Sequence, residues 1–149
     1  MSVSIVKLNS DEPINEHILA GMTRLLPQLA QSAPVLTLER VQSVTRSPLT
    51  SLFLAIDEST GEIVGMLTLA IFDAITGRRA HIEDVVVDNE CRGKGVGKLL
   101  LQKAITIAQT EFGANSIDLT SRPEREAANK LYQKVGFARR ETNVYRYQG

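Results

Sequence analysis

The sequence has little that would brace or target it from outside. It contains one cysteine, Cys91, no tryptophan, three tyrosines and four phenylalanines. A single thiol closes no intramolecular disulfide, so the chain suits a reducing compartment. The two histidines, His17 and His81, form no metal-ligand spacing with Cys91, and no metal is expected. Seventeen basic and seventeen acidic residues balance to a formal charge of +0. That removes the broad attraction on which nucleic-acid binders rely, while leaving room for a local basic patch serving one ligand. No apolar run approaches the ~20 residues of a membrane-spanning helix. The opening MSVSIVKLNSDEP lacks an apolar stretch of signal-peptide length. The expectation is a cytoplasmic protein with no membrane and no nucleic-acid partner.

What is present is an ordinary globular balance: 149 residues, 43% hydrophobic and 23% charged. That fits one domain, residues 1–149, around one core. Val3–Leu8 alternates and reads as a strand. Asp11 and Glu12 before Pro13 suggest a helix entry. Ile14, Ile18, Leu19, Met22, Leu25, Leu26 and Leu29 then recur at helical spacing, with Pro27 expected to end or kink the helix. Thr37–Thr45 reads as a second short helix. Leu52–Ile56, Glu62–Phe72 and Arg79–Asp88 read as a meander of strands, the last of them the fourth in the chain. An amphipathic helix follows to about Phe112, with Leu101, Ile105, Ala108 and Phe112 as its stripe. Ser116–Thr120 is a fifth strand and Glu124–Val135 a helix. Phe137–Arg139 and Thr142–Tyr147 are expected to close the sheet. The order is that of an α/β domain.

Between the fourth strand and the long helix lies Arg92-Gly93-Lys94-Gly95-Val96-Gly97-Lys98. Glycines allow a tight turn and close approach of backbone to a ligand. The first N–H groups of a helix lack internal partners and, with the helix dipole, favour an anion. Arg92, Lys94 and Lys98 add charge at the same place. The spacing does not fit a P-loop: three residues rather than four separate Gly93 from Gly97, and Leu99 stands where a hydroxyl is needed. Nor does G-x-G-x-G fit the dinucleotide pattern G-x-G-x-x-G.

Arg92, Gly95 and Gly97 match the Arg/Gln-x-x-Gly-x-Gly/Ala signature of the GNAT superfamily of N-acetyltransferases, which the sequence resembles. A second signature matches downstream at Ala128, Leu131, Tyr132, Lys134, Gly136 and Phe137. Within the superfamily, the stretch HIEDVVVDNECRGKGVGKLL is similar to glucosamine-6-phosphate N-acetyltransferases. Two positions depart from the pattern: Arg125 stands where Asn is common and Asn89 where Pro is common. The resemblance implies a single-domain fold with a mixed, mostly antiparallel sheet splayed between strands 4 and 5 and flanked by helices. It also implies acetyl-CoA as cosubstrate. The pantetheine arm would pair with backbone around Val85, Val86 and Val87. The pyrophosphate would rest on the N–H groups of Arg92, Gly93, Lys94, Gly95, Val96, Gly97 and Lys98.

Acetyl transfer to an amine needs a proton acceptor, because a lysine-like amine (pKa ~10.4) is mostly ammonium at neutral pH. It also needs a donor to the tetrahedral oxyanion and stabilisation of the leaving thiolate (pKa ~8.5 for a comparable thiol). Glu83 on the fourth strand is the candidate base, acting directly or through water. Strand alternation predicts that Asp84 points to the other face. Tyr132 is the candidate acid toward the thiolate, and a backbone N–H near Val85 the oxyanion donor. No covalent acyl-enzyme is required. Cys91 adjoins the pyrophosphate end and is not placed for catalysis. His81 shares the face of Glu83 and reads as structural or as lining the acceptor site. Tyr145 and Tyr147 read as packing, with a substrate wall or a homodimer contact as the other uses. The acceptor is an amine of a small molecule or protein, chosen by the first helices and the loops around Pro34–Pro48, where Glu39, Arg40 and Arg46 offer charge. A non-catalytic acyl-CoA-binding module on the same fold is the competing function.

Overall fold

A computed structural model describes residues 1–11 and 13–149. In chain order the elements are β1 (Val3–Lys7), α1 (Glu16–Leu29), α2 (Leu38–Thr45), β2 (Thr50–Asp57), β3 (Ile63–Ala74), β4 (Gly77–Val87), a short 3-10 turn (Asn89–Cys91), α3 (Val96–Thr110), β5 (Ser116–Asp118) and α4 (Glu126–Val135). The five strands lie in the order β1-β2-β3-β4-β5. The first four pair antiparallel and β5 runs parallel to β4. A parallel neighbour needs a crossover, which α3 provides.

The strands alternate, and each face collects its own core. Phe53, Leu67, Leu69 and Ile82 pack with Leu100, Leu101 and Tyr132 on the side of α3 and α4. Leu52, Leu54, Met66 and Val86 pack with Met22, Leu25 and Val41 on the side of α1 and α2. The buried face of α3 comprises Val96, Gly97, Leu100, Leu101, Ala104, Ile107 and Ala108. It is wider than the expected stripe and leaves Ile105 half-buried.

Local chemistry sets the helix ends. The Asn15 side chain accepts the Ile18 N–H at 2.9 Å, and Thr37 accepts the Arg40 N–H at 3.2 Å. Both are N-caps of the ordinary kind. α1 therefore starts at Glu16 rather than at Asp11–Pro13; Glu12 itself lies outside the described residues. Pro27 falls in the last turn, and the helix runs two residues past it to Leu29.

The closing strands expected at Phe137–Arg139 and Thr142–Tyr147 do not form. Val144, Tyr145 and Tyr147 remain 74%, 86% and 93% exposed. The adjacent edge strand, β5, spans only three residues, Ser116–Asp118, which is too short a ladder to hold them.

Candidate active site

The site grows out of an interruption in β4. Thr68 lies opposite Glu83 and Met66 opposite Val86, so β4 carries one residue more than β3 between these pairs. That is a β-bulge. Asp84 takes the strain at φ 55, the one non-glycine residue with positive φ among those described. Its effect shows in the burial: Ile82, Val85 and Val87 pack on the α3/α4 side, and Val86 on the α1/α2 side. Unbroken alternation would have put Val86 with Ile82.

The bulge also corrects the expectation that Glu83 and Asp84 diverge. Thr68 shares the face of its partner Glu83, and the Thr68 side chain hydrogen-bonds the Asp84 carboxylate. The two acids therefore lie on one side. Desolvation, then the charge of Glu83, pushes the Asp84 carboxyl above the usual carboxylate range, against the Thr68 bond. His81 joins them: its Nε2 lies 3.0 Å from Glu83 Oε1.

A gap opens beside this cluster. β4 pairs with β5 only at Arg79–Ser116, Ala80–Ile117 and His81–Asp118. β4 itself continues to Val87, paired on its other side with β3. From Ile82 to Val87 its β5-facing edge has no strand partner among the described residues. Val85 and Val87 are half-buried and Val86 is buried along it. Unpaired donors and acceptors on such an edge accept an extended ligand.

At the wide end sits the glycine turn. Gly93 and Gly95 have φ of 79° and 82°, and Gly95 caps α3 with no side-chain hydrogen bond. A Cβ at either would meet nothing within 4 Å, so glycine is required there by backbone conformation and not by crowding. Gly97 differs: a Cβ there would come 2.7 Å from Leu131 Cδ2 and 3.5 Å from Val87 Cγ2, so this position keeps α3 close to α4 and β4. Before the turn, the N–H groups of Asn89, Glu90 and Cys91 are used by Gln28, Asp88 and Asp88. The helix ladder begins with the Leu99 N–H on the Gly95 carbonyl at 3.1 Å. Between them, the N–H groups from Arg92 to Lys98 have no partner among the described residues. Exposed Arg92, Lys94 and Lys98 surround them. A run of free donors at a positive helix end fits a pyrophosphate.

The turn is anchored from behind by a clamp with no sequence signature. Arg24 on α1 bonds Asp88 and donates to the Ile63 carbonyl at 2.7 Å. Gln28, one helical turn on, accepts the Asn89 N–H at 2.8 Å. Burial would raise the Asp88 carboxyl, but hydrogen bonds from Arg24 and the Glu90 N–H, and the Arg24 charge, hold it below the usual range. Cys91 is buried, and burial raises its thiol, which makes it unreactive.

Tyr132 lies on the opposite face of the sheet, in the α3/α4-side core. It is 6% exposed in the α3/α4 core and meets Phe137 edge-on with ring centroids 6.3 Å apart. Burial raises its phenol; the charge and hydrogen bond of Arg125 oppose this. A guanidinium only donates, so the phenol keeps its own proton free to give. Arg125 is the residue that stands where Asn is common in the resembling family. Its position one α4 face before Tyr132 was the available signal. Tyr132 and the His81–Glu83–Asp84 cluster thus lie on opposite sides of the sheet. Tyr145 and Tyr147, on the unpaired tail, join neither group. Among the described residues no three His, Cys, Asp or Glu side chains gather as a metal site, and no helix is long and apolar enough to cross a membrane.

Comparison with known proteins gives this arrangement relatives. A sequence model described as the Acetyltransferase (GNAT) family matches residues 19–137. The chain is similar to a glucosamine 6-phosphate N-acetyltransferase of Trypanosoma brucei brucei, 39% identical over 90 residues, which are 58% of this chain and 58% of that protein. It is also similar to an L-amino acid N-acetyltransferase of Escherichia coli K12, 30% identical over 79 residues, 52% of this chain and 48% of that one. The matches thus span about half the length of these curated relatives. A crystal structure of an acetyltransferase from Trypanosoma brucei superposes with a TM-score of 0.77 at 26% identity, covering 99% of this chain and 100% of that one.

Proposed function

The chain belongs to the acetyltransferase (GNAT) family, and from that premise we propose that it transfers an acetyl group from acetyl-CoA to a primary amine. The observation that carries the reading is the run of unpartnered N–H groups from Arg92 to Lys98 at the uncapped start of α3, continuous with the unpaired edge of β4. Val85, Val86 and Val87 hold the pantetheine arm through backbone groups. Arg92, Gly93, Lys94, Gly95, Val96, Gly97 and Lys98 hold the pyrophosphate. No metal takes part.

Glu83 relieves the acceptor ammonium of a proton, directly or through water. The amine nitrogen then bonds the acetyl carbonyl carbon, with a β4 N–H near Val85 receiving the oxyanion, and the carbon–sulfur bond breaks as the nitrogen's second proton passes to the leaving sulfur. Tyr132 meets the leaving sulfur. An ordinary phenol (pKa ~10) is a weaker acid than a thiol (~8.5), so full proton transfer runs uphill by about 2 kcal/mol. Tyr132 therefore acts mainly by donating a hydrogen bond to the thiolate. Approach of amine and departure of thiolate on opposite faces of the sheet suit this division of labour.

The relatives named above act on different amines, so the acceptor is read as a primary amine and no further. The protein works in the cytoplasm and forms a homodimer through its exposed tail, where Val144, Tyr145 and Tyr147 present an apolar surface of the kind that marks contacts. Sedimentation of the full chain against a version ending at Phe137 tests the dimer: loss of dimer on truncation is expected, and a monomeric full chain refutes it. Activity is tested by incubating the protein with acetyl-CoA and a panel of amines and following free thiol. Release of coenzyme A with at least one amine is expected. Tight coenzyme A binding with no release across the panel would favour a binding module instead.

A further inference from the structure

We propose that His81 is the group that takes the proton from the acceptor ammonium and that Glu83 acts through it, a refinement that rests on the acetyltransferase reading above. His81 and Glu83 stand two apart on β4, so the pleat itself puts their side chains on one face, and Nε2 meets Oε1 at 3.0 Å. The contact is an ion pair when the ring is protonated; it turns Nε2 toward the carboxylate and leaves Nδ1 as the ring nitrogen facing away from it. No hydrogen bond among the described residues occupies that nitrogen. The pair is a held imidazole with one free ring nitrogen.

Its position suits the task. His81 is the last β4 residue paired with β5, opposite Asp118, so it stands where the gap opens. The imidazole is 31% exposed and the carboxylate 56%, which makes the imidazole the more sheltered member. Charged groups around it are Arg79, Glu83 and Asp84 on its own strand and Asp118 on β5; β3 offers uncharged Ala70 opposite. Three carboxylates against one guanidinium favour the approach of a cationic acceptor ammonium. Chemistry favours the imidazole as the acceptor of its proton: a free imidazole is a stronger base than a free carboxylate by roughly 2 pKa units, about a hundredfold in the equilibrium for deprotonating an ammonium. In the step, one N–H bond of the ammonium breaks and its proton bonds Nδ1. The freed nitrogen pair attacks the acetyl carbonyl carbon; as the carbon–sulfur bond breaks, the nitrogen gives up its second proton, which ends on the leaving thiolate, and the imidazolium, paired with Glu83, returns its proton to water after product leaves. Glu83 is then a positioning residue.

The test uses the full chain with acetyl-CoA and glucosamine 6-phosphate, sisomicin and L-phenylalanine as acceptor probes, read by free thiol. Coenzyme A binding is measured alongside to verify folding. With the best of the three acceptors, His81→Ala should lower kcat by roughly 10²–10⁴-fold while coenzyme A affinity stays within about twofold. Added imidazole should restore at least about tenfold of the loss. His81→Gln, which keeps bulk and polarity, should be as slow as His81→Ala and, having no cavity, should not respond to imidazole. Glu83→Gln, which keeps the size of the side chain beside His81 and removes its charge, should lose less than His81→Ala. Near-normal turnover in either His81 variant overturns the proposal, as does a loss that imidazole leaves untouched in His81→Ala. So does a Glu83→Gln variant slower than His81→Ala. Wild-type protein that acetylates none of the three probes refutes the acetyltransferase reading for these amine classes and this proposal with it.

Discussion

Gly95→Ala separates the cost of a conformation from the cost of a contact. Gly95 caps α3 at φ 82° and ψ 7°, and its added Cβ would touch nothing within 4 Å. An L-residue in the left-handed region costs roughly 1–2 kcal/mol. Where that cost appears depends on what holds the turn. Among the described residues the Leu99 N–H on the Gly95 carbonyl is the one backbone hydrogen bond that holds Arg92–Gly95, and these four residues are exposed. Without ligand the turn can relax and escape the strain, so the melting temperature should move little. Ligand binding must restore the strained form to align the N–H groups, and the cost then falls on affinity. At 1.36 kcal/mol per tenfold, coenzyme A should bind about 5–30-fold more weakly. Titration calorimetry with coenzyme A and a thermal melt of the free protein measure the two quantities. Unchanged affinity, with or without a lower melting temperature, would refute the assignment of these N–H groups to the pyrophosphate.

Further outcomes follow from the same geometry. Tyr132→Phe keeps the packing against Phe137 and removes one hydrogen bond to a developing anion; kcat should fall roughly 10–150-fold, from about 1.5–3 kcal/mol, with coenzyme A affinity unchanged. Arg24→Met leaves Asp88 without its ion pair and loosens the turn, so KM for acetyl-CoA should rise; an unchanged KM would show that the clamp does not position the turn. Asp88 has a folded-state pKa below its ordinary 3.8, so its contribution to stability is full above that value and is lost as pH falls through the depressed one. Acid unfolding of Asp88→Asn should accordingly lack the part of the wild-type decline that lies below about pH 4. Leu100→Ala, at a fully buried position between α3 and the sheet, should destabilise by about 2–5 kcal/mol in chemical denaturation.

Much of this was legible in the sequence because it depends on local rules. The period of apolar residues located β2, β3, β4 and α3, and the Gly-x-Gly-x-Gly spacing with its basic neighbours located the turn. What escaped depends on partners distant in sequence or on backbone states with weak signatures. Arg24 and Asp88 are 64 residues apart, and neither carries a mark of the other. The bulge rests on a positive φ at Asp84, a residue type that tolerates the left-handed region without announcing it. It reversed the expected relation of Glu83 to Asp84. The tail alternates like a strand, yet a strand needs an edge to join, and β5 supplies three residues. The His81–Glu83 pair was half legible: their shared face follows from the pleat, while their contact does not.

The most direct test of the account is a crystal structure of the protein with coenzyme A. The account predicts the pyrophosphate oxygens within about 2.7–3.2 Å of N–H groups between Arg92 and Lys98, the pantetheine arm along Val85–Val87, and the sulfur in the gap between Tyr132 on one side and the His81–Glu83 pair on the other. A pyrophosphate bound away from the turn, or a sulfur remote from both sides of the gap, would contradict it.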